Sequence, residues 1–152
     1  MPVDYSAVAA GLNQAVPFNR HLGLQTTTVA ADHGVVTLPS VEHLHNHVGS
    51  QHAGALFSAG EAASGAAFVG AFAEMLGDIT PLAQSAEISY RKIARGEITA
   101  TARFGADMDA LRAELEREGR VRFPVGVDLT DAEGTTVAEM TVNWYVRRND
   151  AG

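Results

Sequence analysis

The 152-residue chain has no cysteine. Disulfides, a thiolate nucleophile and cysteine-ligated zinc are therefore excluded, and cysteine usage leaves the redox compartment unconstrained. Basic residues are also scarce: 11 Lys and Arg stand against 18 Asp and Glu, a net charge of −7. A nucleic-acid binder shows a basic face, so no nucleic-acid partner is expected. Long apolar runs are missing as well. The longest strongly apolar uncharged segment, Ala62 to Ala73, is well short of the roughly 20 residues that a membrane span needs. The opening MPVDYSAV carries Asp4 and no apolar stretch behind a basic one, so no secretory signal is read there. The expectation is a soluble cytoplasmic protein with no membrane partner. No Gly-rich phosphate loop, GxSxG elbow or Ser-His-Asp order occurs, and no cofactor is expected. Linkers, repeats and low-complexity tracts are absent too, which predicts one domain over residues 1–152. With 46% hydrophobic and 19% charged residues, that domain has ordinary globular composition rather than a disordered one.

What is present is concentrated in residues 46 to 61, NHVGSQHAGALFSAGE. Asn46 precedes His52-Ala53-Gly54 by six positions, and Glu61 follows His52 by nine. The run after Glu61 is uncharged until Glu74. A carboxylate at the front of a helix that is apolar almost all round costs several kcal/mol to bury unless it is paired or put to use. Glu61 is therefore the foremost candidate functional residue.

Around this segment the pattern predicts a helix over 4–14 stopped by Pro17, then a hairpin at Asp32-His33-Gly34 with Gly34 at positive φ. Residues 40 to 51 read as loop. A buried central helix is expected over about 53–76, with Gly60, Gly65 and Gly70 allowing close approach to a sheet and Gly77 as C-cap. Strands follow at 83–93 and 97–105, joined at Arg95-Gly96. An exposed helix comes next, with Asp107 as N-cap, an apolar edge of Met108, Leu111 and Leu115, and Gly119 as stop. Two more strands, 121–130 and 135–147, flank the turn Asp131-Ala132-Glu133-Gly134. Antiparallel hairpins with one buried helix give an α+β class, the sheet wrapped around the helix.

This order, with Asn46, His52-Ala53-Gly54 and Glu61 at the front of the central helix, resembles the hotdog-fold acyl-CoA thioesterases of the phenylacetic-acid-pathway (PaaI) type. Members carry an asparagine, His-Gly-Gly six residues on, and an acid nine residues after the histidine. The segment SAEISYRKIARGE is similar to that family's strand with an aromatic before a basic residue and a small-residue turn, at Tyr90, Lys92 and Gly96. The helix near 107–118, with FPVGVDLTDAEG and TVNWYVRR, resembles an uncharacterised thioesterase-like hotdog family. Three positions depart from the pattern: Ala53 replaces the first glycine, Glu61 replaces aspartate, and Ile93 stands where proline is frequent. The resemblance implies a site built between subunits of a homodimer or a dimer of dimers, and an acyl-CoA substrate.

Thioester hydrolysis needs water or a carboxylate aimed at the carbonyl carbon and donors for the developing oxyanion. Glu61 is the expected base or nucleophile, and Asn46 the residue that orients water or carbonyl. His52 is expected to hold the loop and assist polarisation. The start of a buried helix offers free amides, which makes those of Gly54 and Ala55 the candidate oxyanion donors beside Ala53. Lys92 is a candidate for coenzyme A phosphate, with Tyr90 next to it on the substrate side, although Arg and Lys at strand ends ordinarily serve solubility. Arg91, Arg95, Arg147 and Arg148 are weaker candidates of the same kind. Phe68, Val69 and Phe72 either line an acyl tunnel or fill the core.

Three readings compete. A non-catalytic acyl-CoA or fatty-acid binder fits Ala53 at the oxyanion position. A hotdog hydratase lacks its usual Asp-then-His motif here. His43, His45 and His47 fall on one face of an extended segment and suit a metal, but no spaced acid follows them and a buried helix does not suit an all-β cupin.

Overall fold

The computed structural model describes residues 2–150. Helix α1, Tyr5–Ala15, starts where the Asp4 carboxylate accepts the Ala7 N–H at 3.1 Å, and it ends at Val16. Pro17 does not merely stop it. It opens a second short helix, α2 (Pro17–Leu22), which the sequence reading missed. Proline suits the first helical position because its missing N–H would be unpaired there.

Strands β1 (Gln25–Val29) and β2 (His33–Leu38) form the expected hairpin. Gly34, however, lies inside β2 and is not among the positive-φ glycines. It is glycine for want of space: a Cβ there would stand 2.6 Å from the Ala67 nitrogen and 2.7 Å from the Ala66 Cβ. A 3-10 turn at Glu42–Leu44 and a bridge between His45 and Gln51 shape the loop ahead of the central helix.

That helix, α3 (Ala53–Ala71), is shorter than expected and caps at Phe72, and Gly77 falls in a separate 3-10 segment, Ala73–Asp78. The apolar pattern runs through both, so hydropathy alone does not mark the break. Strands β3 (Ile79–Tyr90) and β4 (Ile98–Arg103) follow, then α4 (Met108–Glu118), β5 (Arg120–Thr130) and β6 (Thr136–Arg148). For α4 the expected punctuation is observed. Asp107 accepts the Asp109 and Ala110 amides, Leu111 and Leu115 are buried, and Gly119 closes the helix at φ 76°.

All pairings are antiparallel, in the order β1-β2-β4-β5-β6-β3. In β5 burial alternates strictly, Val121, Phe123, Val125, Val127 and Leu129 facing inward. The sheet curls around α3, whose Leu56, Ala59, Ala63, Ala67 and Phe68 join the same core. Phe68, Phe72, Phe104, Phe123 and Trp144 make a contiguous aromatic cluster, with centroids 4.8–6.1 Å apart. No described helix is long and apolar enough to cross a membrane.

Small residues on α3 let it lie against backbone. A Cβ on Gly70 would overlap the Ala30 carbonyl oxygen, and one on Gly60 would reach 2.5 Å from the Met140 sulfur. Gly11 of α1 faces open space. Two glycine-to-alanine changes should therefore act in opposite directions. Gly11→Ala should stabilise by about 1 kcal/mol through helix propensity. Gly70→Ala should lose about 1–3 kcal/mol despite the same propensity gain, because an overpacked backbone contact has to separate. Urea midpoints of the two variants check this, and a stabilised Gly70→Ala would contradict the contact.

Candidate functional site

Each expected site residue sits on α3, on the loop before it, or at the end of β3. They do not form one constellation within the chain. Asn46, Ala53, Tyr90 and Lys92 line one cavity of about 460 Å³, together with Arg91 and Ile93. Glu61 lines another of about 210 Å³, with Gly65, Phe68, Val69 and Trp144. Glu61 lies eight residues beyond Ala53 on α3, which at 1.5 Å per residue is about 12 Å of helix rise.

At the first cavity the amides are mostly committed. His52 caps α3: its Nδ1 accepts the Gly54 N–H at 2.8 Å, while its carbonyl accepts those of Ala55 and Leu56. Gly54 and Ala55, expected to present free donors, thus have theirs engaged locally. Among the described residues, the amide left without an acceptor at this helix start is that of Ala53. The Ala53 carbonyl accepts the Tyr90 hydroxyl at 3.1 Å, tying the end of β3 to the helix. Partial burial pushes the Tyr90 phenol upward, so it stays a donor at neutral pH.

Asn46 is a loop organiser in this chain. Its Oδ1 accepts the Val48 and Ser50 amides at 3.0 and 3.1 Å, and its Nδ2 donates to Ser50 Oγ at 2.9 Å. This is an asparagine turn of the kind that suits a tight loop. Gln51, which the sequence reading passed over, is buried and clamps two loops: Nε2 donates to the carbonyls of Pro39 (3.0 Å) and Gly96 (2.9 Å).

Glu61 differs in kind. It is half-buried, and among the described residues its carboxylate has neither a hydrogen-bond donor nor a cation. Desolvation alone pushes its pKa above the ordinary 4.5. The neighbouring Ser64 is fully buried, donating to the Glu61 carbonyl at 2.7 Å and accepting the Trp144 indole N–H at 3.1 Å. Ser64 and Trp144 went unmarked in the sequence reading. The available signal was weak: a hydroxyl in an otherwise apolar helix, and the one tryptophan of the chain.

The remaining candidates divide. Phe68 and Val69 line the Glu61 cavity, whereas Phe72 packs into the aromatic core against Phe104 and Phe123. Arg91 shares the first cavity with Lys92 and also lies 3.4 Å from Glu139. Arg147 and Arg148 pair with Thr80 and Ile79, at the opposite end of β3 from Tyr90. His45 bonds Ser40 Oγ at 3.1 Å, and among the described residues no three His, Asp or Glu side chains are placed to share a metal ion. A broader hollow on the outer face of the sheet, around Gly126, is lined by the mixed charges of Glu87, Arg91, Arg103, Asp128 and Glu139, and of the candidate residues it holds Arg91 alone.

Residues 5–146 match a family described as a domain of unknown function, DUF4442. No curated protein matches the chain. A Pseudomonas aeruginosa protein of unknown function, described as a probable thioesterase, superposes with a TM-score of 0.85 at 26% identity, over 98% of this chain and 99% of that one. A Chlorobaculum tepidum protein of unknown function gives 0.81 at 16% identity, over 95% and 96%. The Escherichia coli PaaI protein of the phenylacetic acid degradation operon gives 0.70 at 18% identity, over 93% and 91%. The architecture is the hotdog fold that the motif implied.

Stability should carry the signature of the unpaired carboxylate. The folded chain holds the Glu61 proton more tightly than the unfolded chain does. Folding free energy is therefore lost as pH rises from the ordinary 4.5 through the raised folded value. Glu61→Gln removes that loss. In thermal melts at fixed protein concentration the variant should exceed the wild type at neutral pH, by a margin that vanishes as the pH drops below the unfolded value. A margin that grows on acidification would mean that the carboxylate is paired.

Proposed function

The chain belongs to the DUF4442 family, and from that premise we propose that it is an acyl-CoA thioesterase that releases a free acid and coenzyme A. The observation that carries the reading is the Glu61 carboxylate, desolvated at an apolar cavity on the buried helix and without a partner among the described residues. A carboxyl group kept there without a partner costs stability, and a raised pKa is the direction that general-base catalysis favours. The likeness to a protein described as a probable thioesterase supports the same class.

In this mechanism Glu61 removes a proton from water as its oxygen attacks the thioester carbon. The oxyanion forms against the Ala53 amide, and its collapse expels the coenzyme A thiolate, which takes the proton back from Glu61. Attack by the carboxylate itself, with water then cleaving the anhydride, uses the same groups. Asn46 and His52 hold the loop that presents Ala53. Lys92 and Arg91 lie on the same cavity, where they would meet the phosphates of the carrier.

About 12 Å of helix separates the Ala53 amide from Glu61, too far for both to act on one carbonyl. The reading therefore requires a second copy, whose Ala53 faces the first copy's Glu61. Strand β3 supports this. It is a sheet edge of 12 residues with Glu87 as its one charge and Leu82 53% exposed. An edge so long and so weakly charged is a ready pairing surface.

A second reading, an acyl-CoA binder without turnover, is favoured by one feature: the methyl of Ala53 beside the free amide, with the Gly54 amide already engaged. Free-thiol release from an acyl-CoA panel separates the two. Glu61→Gln should reduce kcat by about 10²–10⁴-fold, the usual yield of a general base. Equal background rates from both proteins would leave the binder. Leu82→Arg should turn the oligomer into a monomer in size-exclusion chromatography and abolish turnover together with it. A variant that stays oligomeric and active would remove the β3 edge from the assembly.

A further inference from the structure

The cavity beside Glu61 has a shape that bears on which acyl group the protein takes. On its α3 side Ala62, Gly65 and Ala66 present almost no side chain, and Leu12 of α1 lies across it. The indole of Trp144 forms another wall, together with Phe68.

This wall is held by a relay of two hydrogen bonds and by one aromatic stack. Trp144 Nε1–H donates to Ser64 Oγ at 3.1 Å, Ser64 donates to the Glu61 carbonyl at 2.7 Å, and the indole stacks on Phe68 at 5.5 Å. Ser64 is fully buried. A swing of the indole would strand its N–H and leave the hydroxyl without its donor, so the wall does not yield to a longer ligand. At about 30 Å³ per water-sized group, the 210 Å³ cavity holds about seven such groups, and a methylene is of that size.

We propose that Trp144 is the end wall of an acyl pocket that opens at Glu61. It restricts the bound group to about seven carbons beyond the thioester carbonyl, an octanoyl chain or shorter, or to a single ring. Gly65 is the position that sets the pocket's width. The inference rests on the thioester reading of Glu61, but its two determinants lie outside the reacting groups. Trp144 is also the chain's single tryptophan, so its emission reports on this wall without any turnover. A Cβ on Gly65 would stand 3.8 Å from Trp144 Cζ2, an ordinary contact. Gly65→Ala therefore fills the pocket without disturbing the core.

The test uses the full chain, wild type and Gly65→Ala, with Trp144→Phe as a third protein that keeps an aromatic ring but lacks the bond to Ser64. Thiol release is measured on butanoyl-, hexanoyl-, octanoyl-, dodecanoyl- and hexadecanoyl-CoA. Tryptophan emission of the first two proteins is titrated with the matching non-hydrolysable thioethers. Wild type should turn over and respond to chains through octanoyl, with a fall of roughly 10-fold or more at dodecanoyl. Gly65→Ala should lose roughly 10-fold on octanoyl while retaining butanoyl, and Trp144→Phe should extend the cut-off to longer chains. A length-dependent emission response that Gly65→Ala shifts, with no thiol released, would uphold the pocket and sink the thioesterase reading. Thiol release that is uniform across lengths, or a cut-off that neither variant moves, overturns the pocket and leaves hydrolysis standing. Silence of the emission towards every chain overturns it as well.

Discussion

Where Gly70 lies over the Ala30 carbonyl, and Gly34 lies under Ala66 and Ala67, α3 meets the sheet through backbone rather than through side chains. That contact sets the distances on which the rest of the molecule depends. A helix that approaches so closely cannot carry large residues on that side, and its alanines and glycines cost helix stability or add little burial each. Inward rows of valine on the sheet compensate, together with a stack in which Phe68 and Phe72 from the C-terminal end of α3 meet Phe123 and Trp144 from the strands. Where α3 is thin and the stack begins, a space is left that neither side fills, and Glu61 stands at it.

The electrostatics of that position follow from the packing. Residues 62–73 bring no charge of their own, and among the described residues no cation approaches the carboxylate from the sheet. Desolvation is therefore uncompensated, which raises the group's proton affinity and makes it costly to ionise. Such an arrangement resembles strain retained at a working site more than a stabilising element. Ser64, one turn on, shows the alternative outcome for a polar group in the same helix: both of its hydrogen-bonding roles are filled, by the Glu61 carbonyl and the Trp144 indole.

Much of the architecture was legible because its signals are local. Asp107 and Gly119 bracket α4 as a capping residue and a left-handed stop do, and the alternation in β5 identifies its inner face directly. The failures have equally definite causes. Gly34 looked like a turn glycine because it follows Asp32-His33, yet its role is to make room for a helix more than thirty residues away. The end of α3 at Phe72 lay hidden in an apolar run that continues into a 3-10 segment. Pro17 read as a stop although it also starts α2.

The candidate site divides along the same line. By itself, the sequence determined the spacing of Asn46, His52 and Glu61, the α+β order of its elements, and the oddity of a carboxylate in an uncharged helix, while the hotdog fold followed from the family resemblance that the motif carries. These are properties of neighbours along a chain, and periodicity and composition record them. Only the tertiary structure decided that the Gly54 amide is taken by His52 and that Asn46 is spent on its own loop. It also decided that Glu61 has no partner among the described residues and that Ser64 holds the tryptophan facing it. Those outcomes depend on which groups meet across the fold, and a hydrogen bond between residues eighty positions apart leaves no pattern in the sequence near either one.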